Sequence, residues 1–145
     1  MLLERSSEAQ WEGSLKGGKG SFRSGSGEVE GRFDFGRRFG ETPGTNPEEL
    51  LAAAHAACLS MALAATLERK FGVAPQQVKA RSTCLLELQE AGPRITGFRV
   101  QVQVQVAGLT EEQIREAVHE AAQACPVSRA YKEALPVEVT DIQVR

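Results

Sequence analysis

The sequence predicts an α+β fold in which an antiparallel β-sheet packs against a long central helix and a second helix. Three observations predict it. Short aromatic segments alternate with glycines in the first third of the chain, a long stretch without Gly or Pro follows, and two strand-like segments precede a second helical pattern. Because strands and helices do not alternate as a parallel sheet requires, an antiparallel sheet is favoured.

Length and charge restrict the function classes. The 145 residues fit a single domain, residues 1–145, and 41% of them are hydrophobic, which is enough for a core. The net charge is −2 and no basic block occurs, so nucleic acid is not an expected partner. No apolar run approaches the roughly 20 residues of a membrane span, and no signal peptide is recognisable. We therefore expect a cytoplasmic protein with no membrane partner and with reduced thiols.

The first third of the chain turns often, because ten of the 14 glycines lie in the first 45 residues. The segments around Trp11 and at residues 32–35 carry aromatic side chains between these turns, which predicts a small antiparallel meander. A phosphate-binding loop at residues 17–20 is the alternative. No Lys-Ser or Lys-Thr pair follows at the spacing that such a loop requires.

Residues 48–71 contain no Gly or Pro and are rich in Leu, Ala and Met, which predicts a long helix. Asn46 is a good N-cap, Pro47 suits the first helical position, and Glu49 completes a capping box. Gly72 ends the helix. Apolar residues occupy nearly every side, so we expect other elements to surround this helix.

The second half of the chain predicts a hairpin, a helix and a last strand. Residues 80–88 and 98–106 form the hairpin through residues 92–93, and the second of these segments alternates strictly between Val and polar residues. Thr110 begins a capping box, and the helix that follows has a regular apolar face and ends at Pro126. The final strand covers residues 137–144.

Two of the three cysteines lie where redox chemistry is possible. Cys58 lies on a helix row expected to face the core, and a structural cysteine is the plain alternative. That row is Leu51, Ala54, Cys58, Met61 and Ala65. A reactive thiol so far inside a helix needs a nearby cation, since the helix dipole fades within one turn. The candidates are Arg32, Arg37 and Arg38.

Cys125 stands at the end of the second helix, where the backbone can shift more easily than in a helix interior. Together, Cys58 and Cys125 suggest an attacking and a resolving thiol. Cys84 is interpreted as a core residue.

A zinc site is a competing use of the same residue types. His55 precedes Cys58 by three residues and His119 precedes Cys125 by six, so a mixed His and Cys site can be drawn. No second pair with metal-ligand spacing supports it, and we expect no metal ligands among these residues.

Three stretches carry a family resemblance. Residues 44–51 are Gly-Thr-Asn-Pro-Glu-Glu-Leu-Leu, residues 53–58 are Ala-Ala-His-Ala-Ala-Cys, and residues 124–128 are Ala-Cys-Pro-Val-Ser. Together they resemble the OsmC/Ohr family of osmotically inducible and organic hydroperoxide resistance proteins, and its OsmC branch in particular. The likeness extends from Trp11 to the last strand.

This resemblance implies an OsmC-like fold, an intertwined homodimer and a thiol-dependent peroxidase. Such an enzyme reduces organic and inorganic hydroperoxides without haem, flavin or metal, and takes part in oxidative and osmotic stress defence. By matching position, Cys58 is the peroxidatic cysteine and Cys125 the resolving cysteine. Glu48 and Arg38 match a carboxylate and an arginine of the site, in which Glu48 fixes the guanidinium through a bidentate pair and Arg38 favours the thiolate.

The resemblance also implies a dithiol reductant such as dihydrolipoamide. The alternative function is a non-catalytic thiol protein or a zinc-binding module that uses the same pocket. Metal content and peroxide turnover distinguish these two functions.

Overall fold

The computed structural model describes residues 1–145 and confirms the α+β class, with helix and strand each forming 35% of the chain. In chain order the elements are β1 (Ser7–Glu12), β2 (Lys19–Ser24), β3 (Glu30–Phe33), α1 (Phe35–Phe39), α2 (Pro47–Phe71), β4 (Gln77–Gln89), β5 (Gly92–Gln105), α3 (Glu111–Ala124), α4 (Pro126–Lys132) and β6 (Val137–Val144). The chain divides into two compact units, Met1–Leu50 and Leu51–Arg145.

The predicted meander is the sheet of the first unit, in which β1, β2 and β3 pair antiparallel in that order. Gly20 lies between Trp11 and Phe33 on the neighbouring strands, whose ring centroids are 5.7 Å apart. A Cβ atom on Gly20 would lie 2.5 Å from the Phe33 ring. The missing side chain therefore lets the two rings meet across the middle strand.

A short helix that the sequence did not predict, α1, follows the meander. The Asp34 carboxylate caps it by accepting the Arg37 backbone N–H at 2.9 Å, and it also accepts from the Arg37 guanidinium at 2.8 Å. With five residues, α1 is too short to produce a hydrophobic period. Arg37 and Arg38 thus lie on a capped helical turn and not on a strand.

The sheet of the second unit is mixed, and the prediction of a purely antiparallel sheet is wrong there. β4 and β5 form the predicted antiparallel hairpin, but β6 runs parallel to β5. A parallel neighbour requires a long crossover connection, which α3 and α4 supply between β5 and β6.

Pro126 ends one helix and begins another, whereas the sequence predicted only an end. Cys125 is the C-cap of α3 and the N-cap of α4, and Pro126 occupies the first position of α4, where its missing N–H costs no hydrogen bond. The capping box predicted at Thr110 is present at the start of α3. The break between α3 and α4 therefore places Cys125 at a helix junction.

The core of the second unit lies between α2, α3 and the hairpin. From α2 it takes Leu59, Leu63 and Leu67. The other buried members include Val100, Val102, Val104, Ile114, Ala117, Val118 and Ala121. At about 25 cal/mol per Å² of apolar surface, such burial is the main stabilising contribution in this unit.

The predicted core row of α2 is wrong by a rotation of one residue. The buried row contains His55 with the three leucines, whereas Met61 is 73% exposed and Cys58 is only partly buried. Because apolar residues occupy almost every side of α2, the hydrophobic period did not distinguish the two faces. The expectation that other elements surround this helix is also wrong within one chain, since its alanine-rich face is exposed.

By length and composition α2 could cross a membrane, so the sequence statement that no apolar run approaches this length is corrected. Core helices of soluble proteins meet the same criterion. The three leucines that α2 buries against the valine-rich hairpin are typical of a core helix.

Candidate active site

The two cysteines suggested by the sequence meet in the second unit. The Sγ atoms of Cys58, on α2, and Cys125, at the junction of α3 and α4, lie 3.0 Å apart although 67 residues separate them in sequence. Cys125 is fully buried and Cys58 is partly exposed. Both are free thiols, so the structure shows a dithiol in direct sulfur-to-sulfur contact.

The two thiols differ in acidity. Burial and the hydrogen bond with Cys125 raise the pKa of Cys58. Burial also acts against ionisation of Cys125, but the interactions with Cys58, Ser128 and Val127 outweigh burial and lower the pKa of Cys125. The two thiols therefore titrate as one pair, in which the surroundings of Cys125 favour its ionised form.

The junction of α3 and α4 explains why the pKa of Cys125 is lowered. As the N-cap of α4, its sulfur accepts the backbone N–H of Ser128 at 3.5 Å. Hydrogen bonds to the ionised form stabilise a thiolate, so this helix junction holds an acidic thiol in a buried place.

Arg38 and Glu48 form an ion pair in the first unit. Both Nε and Nη2 of Arg38 donate to Oε1 of Glu48, at 3.2 and 2.8 Å. The predicted contact exists, but its form differs from the expected bidentate pair, since Glu48 Oε2 is buried without a hydrogen-bond partner. The guanidinium also lies 5.0 Å from the ring centroid of Phe39.

The other two candidate arginines have different surroundings. Arg37 pairs with Asp34 in the cap of α1, and Arg32 is an exposed residue of β3. Of the three, Arg38 is the one that contacts Glu48, which agrees with the pairing implied by the family resemblance.

A buried polar chain behind the thiols was missed by the sequence reasoning. His55 is fully buried, and its Nδ1 lies 2.9 Å from Ser82 Oγ while its Nε2 lies 2.7 Å from Ser128 Oγ. Burial lowers the pKa of His55, so the ring is held neutral. The sequence held one signal for part of this arrangement. Ser128 follows Cys125 by three residues, which is the spacing at which an N-cap side chain accepts a backbone N–H.

Aromatic rings enclose this histidine. Tyr131 stacks on Phe98 with centroids 4.5 Å apart, and both rings meet His55 edge-on at 5.4 and 5.6 Å. The Tyr131 hydroxyl donates to the Leu51 carbonyl at 2.9 Å, which ties α4 to α2. Cys84 lies on β4 opposite Phe98 and is partly buried.

No group of three or more His, Cys, Asp or Glu side chains that could hold a metal ion occurs in the chain. Both ring nitrogens of His55 are engaged by serine hydroxyls, and His119 is exposed on α3. The His and Cys spacings seen in the sequence therefore do not converge into a donor set.

Comparison with known proteins places this geometry in a family. The family model described as OsmC-like protein matches residues 39–140. Peroxiredoxin OsmC of Escherichia coli (strain K12) is 36% identical over 133 residues, which cover 91% of this chain and 92% of that protein. The organic hydroperoxide resistance protein of Xanthomonas axonopodis pv. citri (strain 306) is 31% identical over 97 residues, or 67% of this chain and 66% of that protein.

The fold agrees with the same family. The crystal structure of an organic hydroperoxide resistance protein OsmC from Legionella pneumophila has a TM-score of 0.70 and 24% identity, and the match covers 96% of this chain and 97% of that chain. The family model covers most of the chain, and the resemblance seen in the sequence is confirmed. The chain therefore belongs to the family of OsmC-like proteins.

Proposed function

We propose that this chain is a cysteine-based peroxidase that reduces hydroperoxides in stress defence, with Cys58 as the attacking and Cys125 as the resolving thiol. The observation that carries the proposal is the 3.0 Å separation of the two sulfurs. Two free thiols at this distance form a disulfide after a small movement. The names of the relatives, a peroxiredoxin and a hydroperoxide resistance protein, support the substrate class.

The first step oxidises Cys58. The Cys58 thiolate, to which Cys125 Sγ donates at 3.0 Å, attacks the terminal oxygen of the hydroperoxide. The O–O bond breaks and a sulfenic acid forms on Cys58. The departing oxygen takes up a proton and leaves as an alcohol, or as water from hydrogen peroxide. Partial exposure of Cys58, against complete burial of Cys125, favours Cys58 as the sulfur that meets substrate.

The second step closes the disulfide. The Cys125 thiolate attacks the sulfenic sulfur of Cys58, and the hydroxyl group leaves as water after taking up a proton. A dithiol reductant, such as dihydrolipoamide, then returns two electrons and two protons and restores both thiols. The cycle needs no cofactor, since the two sulfurs carry both electrons.

The family resemblance implies that Arg38 is the cation that Cys58 requires, and we adopt this role because burial raises the pKa of this thiol and disfavours the attacking form. The buried carboxylate of Glu48 fixes the guanidinium through two N–H donors, and the Phe39 ring restricts it further. An arginine stays charged at any working pH, so it favours the thiolate throughout the cycle.

Homodimer assembly is part of this proposal. The face of α2 that carries Ala53, Ala57, Met61 and Ala65 is apolar and exposed in the single chain. A continuous apolar strip on a helix is typical of a protein contact surface. Since the E. coli relative matches 91% of the chain, we also treat residues 1–145 as one OsmC-like peroxidase domain.

The proposed function is tested by peroxide turnover. We expect the reduced protein to consume organic hydroperoxides and hydrogen peroxide steadily when dihydrolipoamide is supplied, and the protein should lose two hydrogens in mass after one equivalent of peroxide alone. A parallel assay with thioredoxin identifies the reductant class. Stoichiometric zinc together with no peroxide consumption would favour the metal-binding alternative and contradict the proposal.

Two neighbouring arginines give a matched pair of variants. We expect Arg38→Ala to slow peroxide reduction about tenfold or more at neutral pH, because a nearby opposite charge lowers a thiol pKa by about 1–3 units and each unit changes the thiolate fraction about tenfold. The measurement is the initial rate against pH, whose midpoint should rise. Arg37→Ala removes the same charge, but Arg37 pairs with Asp34, so this variant should slow peroxide reduction far less. A larger loss in Arg37→Ala than in Arg38→Ala would contradict the assignment.

A further inference from the structure

We propose that three side chains position the resolving sulfur against the attacking sulfur by fastening α4 to α2. They are His55, Ser128 and Tyr131. The inference rests on the proposed function and deepens it, because it concerns how the second step of the cycle is prepared. All three side chains lie outside the sulfur pair and the arginine pair.

Three contacts join α2 to α4 at successive turns. On α2 they involve residues 51, 55 and 58, and on α4 with its N-cap they involve residues 131, 128 and 125. The numbers rise along one helix and fall along the other, so the two helices run in opposite directions here. We call these contacts the α2–α4 row: Leu51 O to Tyr131 Oη at 2.9 Å, His55 Nε2 to Ser128 Oγ at 2.7 Å, and Cys58 Sγ to Cys125 Sγ at 3.0 Å.

The spacing of the α2–α4 row fits helix geometry. Side chains three or four residues apart are neighbours on a helix surface, and the row uses only steps of three and four. At about 1.5 Å of rise per residue, the row extends about 10 Å along α2 and about 9 Å along α4. Because the two lengths match, one placement of α4 on α2 forms both polar contacts and also brings the two sulfurs together.

The middle contact of the row is the most protected. His55 and Ser128 are 0% and 2% exposed, so water does not compete for it. On its other side the histidine is held by β4, where Ser82 Oγ lies 2.9 Å from Nδ1. The rings of Phe98 and Tyr131 meet the imidazole edge-on. The start of α4 is therefore fastened to a histidine that is itself fixed.

The row reaches the resolving sulfur through the backbone of α4. The side chain of Ser128 contacts His55, while its backbone N–H donates to Cys125 Sγ at 3.5 Å. Pro126, between them at the first position of α4, has a fixed φ angle and restricts this turn. Holding Ser128 in place thus also holds the cysteine that caps the helix.

The consequence falls on the second step of the cycle. The Cys125 thiolate attacks the sulfenic sulfur of Cys58, the S–S bond forms as the S–O bond breaks, and the hydroxyl group leaves as water after taking up a proton. A second hydroperoxide competes by oxidising the sulfenic acid to sulfinic acid. The sulfurs must approach from 3.0 Å to about 2.05 Å, so a resolving sulfur held close favours the disulfide.

The first experiment measures how strongly the protein favours its disulfide. Tyr131→Phe and Ser128→Ala each remove one hydroxyl of the row, and Tyr131→Phe keeps the ring that stacks on Phe98. Each protein is equilibrated with reduced and oxidised dithiothreitol, and the Cys58–Cys125 disulfide is quantified by mass spectrometry. We expect the disulfide of each variant to be about fivefold easier to reduce, the change produced by losing one hydrogen bond of ordinary strength.

Two further variants separate positioning from general stability. Thr66→Val is the matched control, since it removes a buried hydroxyl that donates to the Ala62 carbonyl within α2 and does not join α4. It should keep the disulfide equilibrium of the wild type. Ser128→Thr keeps the hydroxyl and should return the equilibrium toward the wild-type value.

The second experiment follows the fate of oxidised Cys58. After excess hydroperoxide at neutral pH, mass spectrometry compares the Cys58–Cys125 disulfide with sulfinic acid on Cys58. We expect the ratio of sulfinic acid to disulfide to rise about fivefold in Tyr131→Phe and Ser128→Ala, since the disulfide forms more slowly. The initial loss of the Cys58 thiol should keep its rate, because the row acts only after the first oxidation.

The outcomes separate this inference from the proposed function. If both row variants lower thermal stability as Thr66→Val does but keep the wild-type disulfide equilibrium and sulfinic ratio, the row is only structural and the inference is overturned. A shift of both quantities in the row variants, absent from Thr66→Val, supports it. If the wild-type protein forms no disulfide with hydroperoxide, the proposed function fails, whereas the dithiothreitol equilibrium still decides whether the row positions Cys125.

Discussion

We expect Cys58→Ser to abolish hydroperoxide reduction, with a loss on the order of a thousandfold or more, because the variant lacks the sulfur that accepts the peroxide oxygen. A serine hydroxyl in this place is neither ionised nor oxidisable. The measurement is peroxide consumption with a dithiol in excess. The substitution is nearly isosteric, so Cys125 and the core leucines of α2 should keep their packing.

Cys84→Ser is the matched control for this variant. It makes the same chemical change in a partly buried cysteine of β4 and should leave turnover nearly intact. Substantial turnover by Cys58→Ser, or an equal loss in both variants, would remove Cys58 from the mechanism.

How far the sequence predicts this molecule depends on whether the deciding interaction is local. The bounds of α2 were predicted to within one residue, because Asn46, Pro47 and Gly72 act on the residues beside them. The capping box of Thr110 is a local signal of the same kind. The parallel β6 depends on how the α3 and α4 crossover returns to the sheet, which no local pattern specifies.

The candidate site shows the same division. The residue positions suggested Cys58 and Cys125 as an attacking and a resolving thiol, and the family motif assigned the role of each, but no local pattern shows that the two sulfurs meet across 67 residues. The chain through His55 was not predicted, because its two partners, Ser82 and Ser128, are 27 and 73 residues away in sequence. A histidine on an apolar helix gives no sign of which hydroxyls will satisfy it once it is buried.

The roles of the two sulfurs are separated by Cys125→Ser. We expect this variant to react with the first equivalent of hydroperoxide as the wild type does and then to stop, because a serine hydroxyl cannot attack the Cys58 sulfenic acid. Mass spectrometry should find one added oxygen on Cys58, where the wild type loses two hydrogens. With more peroxide, Cys58 should pass to the sulfinic acid, which a dithiol does not reduce.

The control for Cys125→Ser is built into the helix junction. Serine is also a good N-cap, so the N–H of Ser128 keeps an acceptor and α4 keeps its start. Loss of turnover then reports the missing sulfur and not an unfolded junction, which far-ultraviolet circular dichroism can check. If the variant still forms an intramolecular disulfide after one equivalent of peroxide, the partner must be Cys84, and the resolving role moves from the junction of α3 and α4 to β4.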